Sequence, residues 1–184
     1  MARPHGERSD IPDDDAVKIN AMRGDPKLYR ILEELGISFD YYEHPAAPTI
    51  EEALKNWKNI DSTHCKNIFF RNHKGNRHYL VIMEHSRPLA IHDLEKRLKQ
   101  GKLSFASPER LMKFLGVTPG SVSLFGLIND ETHHVYVFLD EVLKDAKHLS
   151  FHPNDNTASL VITHEGFLKF INWSGNSYEF TRLD

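Results

Sequence analysis

Hydrophobic positions along the chain change period several times, and each change marks an element. Leu28, Ile31, Leu32 and Leu35 recur at i, i+3, i+4, i+7. They follow Asp25 as a cap and Pro26 in the first turn, and Gly36 stops the run, so the spacing predicts a helix. The stretch ISFDYYEH (37–44) is rich in aromatic and β-branched residues and predicts a strand, broken by PAAP. Thr49 and Glu52 form a capping-box pair ahead of the stripe Ile50, Ala53, Leu54, Trp57, which predicts a helix over 50–57 with one buried face. NIFFR (67–71) and HYLVIME (78–84) flank a polar, glycine-containing turn and read as a hairpin. In this reading Lys66 stands at the mouth of the first hairpin strand, next to the only cysteine, Cys65.

Further on, Ile91, Leu94 and Leu98 mark a helix over 91–99, and Ser107 with Pro108 opens another over 107–115. GVTPGSVSLFGLIND is a glycine-rich loop segment with short extended pieces. HHVYVFLD (133–140) predicts a strand, EVLKDA a short helix, and HLSFHP and TASLVIT two strands around NDN. Thr163 caps a last helix carrying Phe167, Phe170 and Ile171, and SYEFTRL can add an edge strand. Helices and strands alternate irregularly and hairpins are frequent. That pattern argues for a single-domain α+β fold with a mostly antiparallel sheet, rather than a doubly wound βαβ repeat. Residues 1–24 are polar and acidic and are expected to form a partly flexible tail, leaving 25–184 as the domain.

Composition narrows the partners. The 184 residues carry 23 Lys/Arg against 26 Asp/Glu, a net charge of −3, which is unlike a nonspecific nucleic-acid binder. HDLEKRLKQGK (92–102), with Lys96, Arg97, Lys99 and Lys102, is a local basic patch or simply a solvated helix face. No apolar run approaches bilayer length and the N-terminus lacks a secretory signal, so a cytoplasmic protein is expected.

Twelve histidines raise the question of metal. The chain has no HExxH, no histidine pair beside a carboxylate at helical spacing, and no cysteine cluster. His133 and His134, adjacent on a predicted strand, would point to opposite faces, and His73 and His78 flank a turn where solvent exposure is expected. Neither metal nor cofactor is expected. Cys65 lacks an evident base and reads as a small half-buried residue. Lys66–Asn67 at a strand mouth, the GSVSLFG loop and His152 at a strand end each have a bland explanation alone: a lysine reaching for water, a loop, a structural histidine.

Together, these segments resemble a known family. YYEHPAAPTIEEA (41–53), CKNIFFRN (65–72), YLVIM (79–83), LSFASPERLMKFLGVTPGSVSLFGLIND (103–130), VYVFLDEVL (135–143) and LSFHPNDNTASLVIT (149–163) are similar, in order and spacing, to the YbaK/ProX superfamily of trans-editing aminoacyl-tRNA deacylases. Within it they look most like the free-standing homologues of the prolyl-tRNA synthetase editing domain, over about residues 25 to 172. The resemblance implies a strongly curved, mostly antiparallel mixed sheet flanked by helices, and metal-independent hydrolysis of a mischarged aminoacyl-tRNA. The substrate it implies is alanyl-tRNA(Pro). It also implies an aminoacyl-tRNA acceptor end as partner, with prolyl-tRNA synthetase as a further one, and neither DNA nor membrane. Lys66, Asn67 and His152 fall on its catalytic positions; Thr49, Gly120, Ser121, Asn129 and Asn156 are the substrate-binding candidates. Its G-x-x-x-P loop falls on Gly120 to Leu124, where leucine replaces the proline. The alternatives are a non-catalytic tRNA- or synthetase-binding module of the same fold, and a metal-dependent hydrolase built on the histidines.

Overall fold

A computed structural model of the chain describes residues 21–46 and 50–184. Among the described residues five helices and eight strands follow one another: α1 (Pro26–Glu34), β1 (Phe39–Glu43), α2 (Ile50–Trp57), β2 (Thr63–Arg71), β3 (His78–Glu84), α3 (Ile91–Leu98), β4 (Ser104–Phe105), α4 (Pro108–Leu115), β5 (Tyr136–Asp140), β6 (His148–Phe151), β7 (Ala158–Thr163), α5 (His164–Ser174) and β8 (Tyr178–Thr181). Two 3₁₀ segments, Leu124–Asn129 and Glu141–Asp145, flank β5.

Local chemistry explains most boundaries. Asp25, Ser107 and Thr163 each accept a hydrogen bond from a first-turn amide of α1, α4 and α5. Such caps typically contribute about 1 kcal/mol each. The capping pair expected at the start of α2 involves Thr49, which lies outside the described residues.

The sheet runs β1-β7-β6-β2-β3-β5-β8, with β4 beside the far half of β2. Pairs β1/β7, β7/β6, β2/β3 and β2/β4 are antiparallel; β6/β2, β3/β5 and β5/β8 are parallel. The sheet is therefore mixed, with antiparallel pairing only narrowly ahead. One core, around Leu32, Phe69, Phe125, Phe151 and Phe167, fills one face with α1, α4 and α5. A second, around Phe70, Tyr79, Val81, Met83 and Phe138, fills the other beneath α3.

Three expectations change. β2 starts at Thr63, not Asn67, because Thr63 and His64 pair in parallel with Leu149 and Ser150. Lys66 thus sits inside the strand, opposite Met83. β5 starts at Tyr136; His133 and His134 precede it in a loop, with His133 at φ +52°. His78 is only 2% exposed: its Nδ1 meets His134 Nε2 at 2.9 Å and its Nε2 faces the Arg110 guanidinium at 2.8 Å, so partners from distant segments replace water. Within the segment expected to be tail, Met22 packs on the core and the Arg23 amide donates to the Tyr41 hydroxyl.

Candidate editing site

The alternation of β2 decides which side chains can meet. Cys65, Asn67 and Phe69 face the first core, while His64, Lys66, Ile68 and Phe70 face the opposite side. Lys66 and Asn67, neighbours in sequence, therefore act on different faces. Ser150 pairs with His64 and so shares the Lys66 face; His152, just past the end of β6, lines a cavity with Trp57, the residue on which His64 stacks.

His152 follows β6 directly. Its Nδ1 lies 2.9 Å from the Ala158 carbonyl, which can only accept, so Nδ1 carries the proton. Burial lowers the affinity of the ring for a second proton. The neutral ring then offers Nε2 as an acceptor. His44 stands beside it, with ring centroids 6.0 Å apart and its Nε2 on the Ser159 hydroxyl. These two rings, Gly120, Asn156 and the α2 residues Ala53, Asn56 and Trp57 enclose a cavity of about 40 Å³.

The glycine loop enters this cavity through a turn with the pattern of type II. Pro119 holds the second position and Gly120 the third, at φ +89°, and the Ser121 amide closes onto the Thr118 carbonyl at 3.1 Å. Only glycine adopts that third position without strain. The same turn also fixes Ser121: its amide closes the turn onto Thr118, and its side chain is buried. Asn67 and Ser123 hold the rest of the loop. The Leu124 amide donates to Asn67 Oδ1 at 3.1 Å, and the Ser123 hydroxyl donates to the His152 carbonyl at 2.6 Å. Leu124 itself is fully buried in the first core. Asn129 is also placed away from the cavity: its amide donates to the Leu115 carbonyl, bracing the 3₁₀ segment against α4. Of the expected substrate-binding residues, the structure brings together Gly120 and Asn156 beside His152.

Lys66 does not line the cavity. Its ammonium donates to the Arg87 carbonyl. Burial lowers its pKa, opposed by the charges of Glu84 and Asp140. His64, two residues earlier on the same face of β2, stacks its ring on the cavity residue Trp57 at 4.4 Å and 5°. Burial brings the His64 pKa down to about 4. Cys65 is buried, and burial pushes its thiol far above the usual range, so no thiolate is available. A larger cavity, about 440 Å³ between α3 and the β5/β8 edge, contains none of the expected site residues. Among the described residues no three His, Cys, Asp or Glu side chains stand grouped as for a metal. His44, Ser123 and Arg87 were not singled out from the sequence, and Trp57 was read only as part of the apolar stripe of α2. Only the strand-end position of His44 carried a hint; the others depend on which segments meet.

A family model for the aminoacyl-tRNA editing domain matches residues 44–170, which takes in α2, the glycine loop, Lys66 and His152. The chain belongs to that family. The editing domain is 39% identical over 153 residues to the prolyl-tRNA editing protein ProX of Acetoanaerobium sticklandii, covering 83% of this chain and 93% of that protein. It is 32% identical over 147 residues to the prolyl-tRNA synthetase associated domain-containing protein 1 of Danio rerio, covering 79% of each. Among solved structures, a candidate trans-editing enzyme for prolyl tRNA synthetase superposes with a TM-score of 0.62 at 22% identity, over 87% of this chain and 99% of that chain. At that identity the likeness speaks for the fold. No helix among the described residues is long and apolar enough to cross a membrane.

Proposed function

We propose that this chain is a trans-editing deacylase: it hydrolyses the ester joining a small, wrongly attached amino acid to the 3′ end of a tRNA, with alanyl-tRNA(Pro) as the substrate. Family membership and the likeness to a ProX protein support the reaction class. The observation that carries the substrate reading is the cavity. At about 40 Å³ it has room for only a few water-sized groups. A methyl side chain enters; a larger one is excluded by contact rather than by a small difference in affinity. Affinity alone separates one methylene by only about 1–3 kcal/mol.

Ester hydrolysis needs a positioned water and stabilisation of the oxyanion as the carbonyl carbon becomes tetrahedral. The leaving group is the ribose oxygen, which takes up a proton as the ester bond breaks. His152 Nε2 is the acceptor for the substrate amino group or the neighbouring ribose hydroxyl. The Gly120 backbone, free of a side chain, approaches the aminoacyl group. Asn67 acts from behind, holding the loop by the Leu124 amide. Lys66 supplies the positive charge on the open face, reaching the acceptor end beside Trp57 and His64. The cytoplasm, where charged tRNA is used, is the setting this function requires, and the tRNA acceptor end and prolyl-tRNA synthetase are its partners.

The test charges tRNA(Pro) with alanine, serine, cysteine and proline and follows deacylation by wild type and Lys66→Ala. Hydrolysis of the alanyl ester in preference to the prolyl ester, and its loss in Lys66→Ala, are the expected results. Hydrolysis of none of the four would overturn the proposal. Chelator treatment is expected to leave the rate unchanged.

A further inference from the structure

Lys66 has a long, flexible side chain, and nothing in β2 itself holds its ammonium. The hydrogen bond it makes goes to the Arg87 carbonyl, on the turn after β3. That carbonyl belongs to the Arg87–Pro88 peptide, and a residue before proline is confined to extended backbone. The Arg87 side chain is gripped from two sides: Nε lies 2.9 Å from Asp140 Oδ2 and Nη2 lies 2.7 Å from Asp184 Oδ2.

Asp140 is the unusual member. It ends β5 and is 0% exposed; burial raises its pKa, and the Arg87 charge and the Val142 amide act against that rise. A carboxylate so buried depends on its partner, since an unpaired buried charge is costly. Register explains what it faces. Lys66 lies opposite Met83, and Ile82 lies beside Leu139, so Lys66, Met83 and Asp140 form one row across three adjacent strands on one face. At about 4.8 Å per strand, Lys66 and Asp140 stand roughly 10 Å apart along that row. The Arg87 side chain reaches Asp140 and its carbonyl reaches Lys66.

We propose that Arg87 and Asp140 form a positioning unit for Lys66: Asp140 fixes the Arg87 side chain and thereby aims the Arg87 carbonyl at the ammonium, while its own negative charge keeps that ammonium protonated. Neither residue touches substrate. The proposal rests on the deacylase reading only for its consequence in turnover; the linkage itself is a property of the free protein. Two charges act on Lys66, Glu84 at the end of β3 first and Asp140 on β5 second; His85 in turn pairs with Glu84, and Arg87 joins Asp140 to Asp184.

Competitive acetylation with peptide mass spectrometry titrates Lys66 alone, without substrate. In Asp140→Asn the half-labelling pH of Lys66 is expected to fall by up to about one unit, the Coulomb energy of a unit charge roughly 10 Å away at an effective dielectric of about 20. The alkaline limb of the kcat profile is expected to fall with it. Arg87→Ala is expected to lower kcat by about tenfold or more with KM little changed, as for a displaced catalytic group, and Arg87→Lys to recover part of the loss. Should Asp140→Asn fail to fold, the two Arg87 variants carry the test, because that side chain is partly exposed. Variants that melt like wild type and leave both the labelling midpoint and kcat unchanged overturn the proposal. A labelling shift alongside a fully active Lys66→Ala supports the positioning unit while removing Lys66 from the chemistry. Unchanged labelling alongside an inactive Lys66→Ala overturns the positioning unit alone.

Discussion

Gly120→Ala tests the cavity most directly. Gly120 sits at φ +89°, so alanine there pays for a left-handed conformation, about 1–2 kcal/mol. The added Cβ would stand 3.3 Å from Asn156 Nδ2, a tight contact that the amide can relieve by a few tenths of an ångström. For a chain of this size, 1 kcal/mol moves the melting temperature by about 2–4 °C, so a fall of roughly 2–8 °C is expected. The effect on turnover is larger. The new methyl group occupies part of the 40 Å³ that the proposed reading gives to the aminoacyl side chain. Overpacking a site costs about 1–3 kcal/mol, or roughly 5- to 150-fold in kcat/KM for the alanyl ester. A glycyl ester, lacking the methyl, should lose much less. The assay is single-turnover deacylation of alanyl- and glycyl-tRNA(Pro) beside a thermal melt. A variant that melts lower yet handles the alanyl ester like wild type would show that the aminoacyl group binds elsewhere.

Asn67→Ala removes the acceptor for the Leu124 amide, a buried donor whose loss of partner costs about 1–3 kcal/mol; a lower melting temperature and slower deacylation are expected together, and a change in neither refutes the tether. Cys65→Ser is expected to retain full deacylation, since the thiol is buried and protonated; a large loss of kcat would put Cys65 back into the chemistry. His64 and His78 both have folded-state pKa values of about 4, below the unfolded 6.5, chiefly through burial. Between those limits the unfolded chain binds more protons, so stability is full above pH 6.5 and falls as pH drops towards 4, by roughly 1–3 kcal/mol for each ring. Melts across that range should show the slope, and His64→Gln should flatten it; an unchanged slope refutes the assignment.

Elements announced by adjacent residues were legible in the sequence. Asp25, Ser107 and Thr163 cap the helices that their spacing indicates, because a cap is a contact over two or three residues. What stayed hidden depends on distant pairing. The extra turn of strand at Thr63–His64 is made by β6, more than eighty residues away. His78 looks like a solvated turn residue until Arg110 and His134 close over it. The site divides the same way. Lys66, Asn67, Gly120 and His152 could be named, but their placement could not: the register of β2 puts Lys66 and Asn67 on opposite faces, while contacts across the chain tie Asn129 to the Leu115 carbonyl and the Ser121 amide into its turn.

Only two residue pairs join β2 to β6, Thr63 with Leu149 and His64 with Ser150, and this short seam unites the strands that carry His44 and His152 with those that carry Lys66 and Asp140. The seam is short but not loose: Phe69, Leu80 and Leu139 of one half share the first core with Phe151 and Leu160 of the other, so side-chain packing more than strand pairing holds the histidine half against the lysine half.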